Sequence, residues 1–138
     1  MSDESTRCRR FAWTSLVGWV LFGVALEAAH GFKVSAYLDD GLRRSLMRLA
    51  HAHGVILALV VLGWGEAGVP LIEPVGRARG VGRLLRLGAL LVPLGFALSS
   101  VRASEGDPSL PILLVPLGAL ALLAALGRTA VGAWHRRK

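Results

Sequence analysis

Four stretches of this chain carry no charged residue: Phe11–Leu26, Leu49–Gly65, Leu87–Val101 and Pro108–Gly127. A helix that crosses the hydrocarbon core of a bilayer needs about 20 mostly apolar residues, with roughly 17–25 tolerated. Three of the stretches approach or reach that length. The third has 15 residues, and Arg83, Arg86 and Arg102 extend it if their stems lie along the apolar surface and their heads reach water. The mean hydropathy of +0.56 belongs to blocks of apolar residues, not to the short periodic segments of a soluble domain. The runs also lack the polar face that a surface helix needs. The chain reads as all-α, an integral membrane four-helix bundle. It forms one transmembrane domain over residues 1–138, with spans at about 11–30, 49–68, 84–102 and 110–133.

The connections carry their own signals. Residues 1–10 read as a short polar leader. Between helices one and two, Tyr37, Leu38, Leu42, Leu46 and Leu49 recur at helical spacing, and Arg44 and Arg48 lie one turn apart. This pattern predicts a short amphipathic interfacial helix over 36–48 that runs on into helix two, with Asp39 and Asp40 at its N-terminus. Glu73 to Arg83, rich in Gly and Arg, reads as a loop, and residues 103–109 as a tight acidic turn. Pro93 and Pro116 are expected to kink helices three and four. Small residues four apart (Thr14/Gly18, Gly54/Ala58, Ala121/Ala125) permit close helix contact. Glu27 stands where a signal-peptide cleavage site needs a small residue, so the first apolar run is expected to stay as a span.

Basic residues set the orientation. With the N-terminus inside, Arg7, Arg9, Arg10, Arg77, Arg79, Arg83, Arg86, Arg128, Arg136, Arg137 and Lys138 fall on the cytoplasmic side, 11 in all. Lys33, Arg43, Arg44, Arg48 and Arg102, 5 in all, fall outside. The positive-inside rule therefore places both termini in the cytoplasm. Trp13, Trp64 and Trp134 fall near the same face, where an aromatic belt belongs. The formal charge of +7 reflects residues at the ends of apolar runs, not on one face. It points to topology and anionic lipid and away from nucleic acid. Cys8, the single cysteine, excludes an internal disulfide and a cysteine-based zinc site.

Candidate chemistry rests on the histidines. His30, His51 and His53, three of the four, fall at the outer ends of helices one and two, and Glu27 lies one turn before His30. An ionisable residue in a span is costly and marks a functional site by default. Imidazole and carboxylate suit a transition metal, and imidazole suits haem iron. Two forms of site follow. His30 and His53 are candidate axial ligands of one haem b. Alternatively Glu27, His30, His51 and His53 supply the ligands of a single transition-metal ion, with Arg102 pairing with Glu27 or with a haem propionate. His51 and His53 differ by about 200° around a helix, so both face one partner only if the helix begins between them. A hydrogen-bond network without cofactor, or a proton relay, would use the same residues.

The stretch His51-Ala52-His53-Gly54-Val55-Ile56-Leu57, with Gly63 further on, resembles the His-x-His or His-Gly start of a helix in bacterial haem and copper membrane proteins. The haem–copper oxidase main subunit is one such family, and small four-span bacterial membrane proteins are another. In the oxidases a histidine so placed binds low-spin haem, which the resemblance transfers to His53. Four histidines are too few for an oxidase's binuclear centre, so oxygen reduction is not implied. At most the resemblance implies a single haem or metal site.

No nucleotide-phosphate loop, catalytic triad, paired-carboxylate arrangement or haem-attachment motif stands in the sequence. The cofactor-binding reading competes with two others. One is an accessory subunit that works with other membrane subunits. The other is a small transporter that must self-associate, with Glu27 as its coupling residue. Reporter fusions after residues 35, 75, 106 and 138 should read outside, inside, outside, inside. A C-terminus on the outer side would refute the orientation.

Overall fold

The computed structural model describes residues 2–72, 74–101, 103 and 107–135. It is built from helices: α1 (Asp3–Gly31), α2 (Ser35–Leu38), α3 (Gly41–Gly63), α4 (Val75–Val101) and α5 (Leu114–His135). A π-helical turn, Trp64–Gly68, and a 3₁₀ turn, Val69–Leu71, prolong α3; a second 3₁₀ turn, Leu110–Leu113, leads into α5. Four helical units are long and apolar enough to cross a membrane: Asp3–Gly31, Gly41–Leu71, Gly76–Val101 and Leu110–His135. They form the expected four-helix bundle, with α2 as the short helix between the first two spans.

The largest interfaces run in the order α1–α3–α4–α5, and α1 meets α4 over a smaller area. Apolar burial from water does not drive helices together inside a bilayer, so close packing has to. Small residues provide it. A Cβ on Gly54 would overlap the Trp19 ring of α1, and one on Gly88 would stand 2.7 Å from the Gly118 carbonyl oxygen of α5. Gly54/Ala58 thus marks a real contact face, whereas Gly18 faces open space.

Three elements differ from the sequence reading. The supposed leader is the first two turns of α1. The Ser2 hydroxyl accepts the Ser5 amide at 3.1 Å, Asp3 and Glu4 sit at the positive end of the helix dipole, and Arg7 pairs with Asp3 at 2.9 Å. The expected interfacial helix divides at Asp39. Asp40 caps α3 by accepting the Arg43 amide at 2.9 Å, and the segment from Gly41 is the start of the second span itself. Arg43 and Arg44 turn back to the carbonyls of Ala36 and Leu38 and fasten α2 to α3.

The third difference is the largest. The Gly- and Arg-rich stretch is helical from Val75. Each glycine costs about 1 kcal/mol in a helix interior, but a buried seam overrides that cost. Ala78, Val81, Leu85, Ala89 and Val92 recur at spacings of three and four and are nearly inaccessible. Its first four residues belong to the main core, with Cys8 and Ala12 of α1, Val61 and Trp64 of the second span, and Ala125 of α5. The core therefore lies toward the end of the bundle that carries both termini. Pro93 lies inside α4, as expected, and is fully buried. Pro116 instead occupies the first turn of α5, where its missing N–H costs little.

Replacing Gly54 with Leu should force the Trp19 ring aside and destabilise the protein by about 1–3 kcal/mol. Gly18→Leu should leave it unchanged. Thermal unfolding in mild detergent measures both, and equal midpoints for the two variants would contradict the α1–α3 contact.

Candidate functional site

At the end opposite the termini, α1, α2 and α3 converge on a groove of about 500 Å³. Glu27, Tyr37, Arg48 and His51 give it a polar end, and Val20, Val24 and Val55 an apolar wall. His51 Nδ1 lies 2.8 Å from the Trp19 carbonyl oxygen of α1. A carbonyl only accepts, so Nδ1 donates, and in the neutral ring Nε2 is the nitrogen with the lone pair. The ring lies against Gly23, where a Cβ would overlap it. Helix geometry and one absent side chain thus fix both the tautomer and the position of the imidazole.

The four predicted residues separate into three places. Glu27 and His51 line the groove. His53 turns to the other side of α3, where its ring centroid stands 5.1 Å from that of Phe96 on α4 and its Nδ1 donates to the Leu49 carbonyl at 2.8 Å. His30 is exposed in the last turn of α1. The two-residue spacing of His51 and His53 explains the split, since a continuous helix from Gly41 rotates them about 200° apart. Among the described residues no three His, Cys, Asp or Glu side chains come together as a metal-binding set. Arg102, the suggested partner of Glu27, lies outside the described residues. Tyr37 and Arg48 are groove residues that the histidine pattern did not single out. Both stand in the amphipathic segment, and only the fold of α2 back onto α3 shows that they belong with Glu27.

A second polar cluster stands at the termini end. Glu4 of α1 is 5% exposed and pairs with Arg86 of α4. Arg86 Nη1 also reaches Cys8 Sγ at 3.0 Å, and the thiol stands 3.7 Å from Glu4 Oε1. Gly82 leaves the room that the carboxylate fills. Glu4 Oε2 is buried without a hydrogen-bond partner. Around this centre Arg9 holds Glu66 through Nε and Nη2, both at 3.0 Å, and Trp64 Nε1 donates to Thr129 Oγ1 at 2.9 Å. Sequence reasoning missed the cluster because it treated 1–10 as a leader and Arg86 as a residue reaching for the headgroups. Two signals were present: Glu4 and Cys8 four apart, and Arg86 set among Leu84, Leu85 and Leu87.

The chain matches no protein-family model, no curated protein and no solved structure.

Removing one partner of a buried ion pair leaves the other charge uncompensated, at about 3–5 kcal/mol. Glu4→Gln should therefore destabilise the protein by about that amount, and the double variant Glu4→Gln/Arg86→Met should recover most of the loss. A double variant no more stable than the single one in denaturant titration would show that the pair is not coupled.

Proposed function

We propose that this is a multi-pass protein of a bacterial inner membrane, with both termini in the cytoplasm, that acts as a cofactor-binding subunit through its outer groove. The observation that carries this reading is His51, whose Nδ1 bond to Trp19 leaves the Nε2 lone pair of the neutral ring available to a ligand in the groove that Glu27, Tyr37 and Arg48 also line. An imidazole held by a carbonyl through its other nitrogen is the usual arrangement of a metal-ligating histidine. The groove suits haem b better than a bare metal ion. It offers one imidazole, a guanidinium able to pair with a propionate, and valines for the porphyrin face. Among the described carboxylates and imidazoles a bare ion would find Glu27 and His51 there. The orientation is supported by the 11-to-5 split of basic residues and by the clustering of Arg7, Arg9, Arg79 and Arg86 at the termini end.

A second reading, an accessory subunit without a cofactor, draws on the two edge helices. Val17, Leu21 and Val24 of α1 and Leu117, Leu120 and Leu123 of α5 are exposed, so lipid or neighbouring subunits must cover them.

Protein expressed with haem precursors and metals and purified in mild detergent should show a reduced-minus-oxidised haem band. His51→Ala should abolish it and His53→Ala should preserve it. Colourless protein, or a band lost only with His53, would reject the groove as the haem site. Colourless, metal-free protein would favour the accessory reading.

A further inference from the structure

The basic residues at the termini end are not all engaged in the same way. Among the described residues the acids there are Asp3, Glu4 and Glu66. Asp3 is shared by Arg7 and Arg79, Glu4 is held by Arg86, and Glu66 by Arg9. Arg77 on the first turn of α4 and Arg128 on α5 have no acidic partner among the described residues. Both line one groove of about 1000 Å³ between α4, α5 and the 3₁₀ turn that ends the second span. His135 stands at its end nearest the C-terminus, and Leu71, Leu123 and Ala124 line its apolar part.

The groove is amphiphilic along its length. Its α5 lining runs from Leu123 to His135, a rise of about 18 Å. It therefore leads from within an apolar span to the end where the basic residues gather. Gly80 and Gly127 leave its walls open, since a Cβ at either would meet nothing within 4 Å. A soluble anion would have no use for the apolar section, and a neutral lipid would leave two guanidinium groups without a counter-charge. A negatively charged headgroup attached to acyl chains satisfies both parts. Basic pockets between spans on the cytoplasmic side suit such headgroups.

We propose that the groove between α4 and α5 is a binding site for one anionic phospholipid, its phosphate held by Arg77 and Arg128 and an acyl chain lying along Leu123 and Ala124. This site is independent of the outer groove and does not rest on the haem reading.

Native mass spectrometry of delipidated protein, titrated with dioleoylphosphatidylglycerol or dioleoylphosphatidylcholine, tests the proposal. The anionic lipid should bind more tightly. Each of Arg77→Gln and Arg128→Gln should weaken it roughly 5-fold, and the pair about 30-fold. Arg10→Gln/Arg83→Gln, which removes two exposed arginines of the same end, should leave it unchanged. Gly127→Leu keeps every charge and fills open space, so it should weaken the lipid without harming the fold. Equal affinity for the two lipids would overturn the proposal. So would an equal loss in the Arg10/Arg83 variant, which would mean diffuse surface charge. Displacement by millimolar inorganic phosphate, or a Gly127→Leu protein that binds normally, would mean a phosphate site without an acyl chain, and would overturn it too.

Discussion

The fold depends on a charged pair that a membrane protein can ill afford to leave unpaired. Glu4 and Arg86 join the first turns of α1 to the middle of α4, two helices that otherwise share little surface. Without this link α1 would rest chiefly on the second span. With it, the termini end closes around Cys8, Ala12, Trp64 and Leu85. The pair itself is no source of great stability, because desolvation offsets most of the Coulomb attraction. Its effect is one of specification: any packing that separates the two charges leaves one of them bare. The bond from Arg86 to Cys8 and the cavity left by Gly82 restrict the geometry further.

The two ends of the bundle differ in kind. At the termini end, ion pairs and small residues draw helices from all four spans together. At the opposite end α2 only partly roofs the space between α1 and α3, and the groove of Glu27 and His51 remains. Tyr37 and Leu46 are buried beneath this roof, and Arg43 adds a 3.3 Å bond to the Ser100 carbonyl at the end of α4. Glu27 and His51 thus stand in an open groove, and the Glu4–Arg86 pair stands against the closely packed core.

How much of this was legible in the sequence depends on the range of the interaction. Charge-free runs report on the bilayer, and they located all four spans. The Asp40 cap is a local signal and was also readable. The Ala78-Val81-Leu85-Ala89 seam was present in the sequence, but two arginines and three glycines concealed its period over 76–82. The Glu4–Arg86 contact joins residues far apart in the chain, and no local pattern encodes it. For the histidines, helical spacing correctly implied that His51 and His53 diverge. Which of them would share a groove with Glu27 depended on the rotation of α3 against α1, and Gly23 against the His51 ring and Gly54 against the Trp19 ring set that rotation.

The π turn at Trp64–Gly68 shows how one helix can answer to two neighbours at once. A π turn holds one more residue per hydrogen-bonded loop than the α-helix around it. Here the surplus falls where consecutive residues serve different partners: Trp64 reaches Thr129 on α5, and Gly65 gives way to Cys8 on α1. The widened turn works as a phase adjuster. It lets the upstream part of the span keep its register with α1 while the downstream part takes another with α5, so the spacing of side chains along the span is not that of one uninterrupted helix.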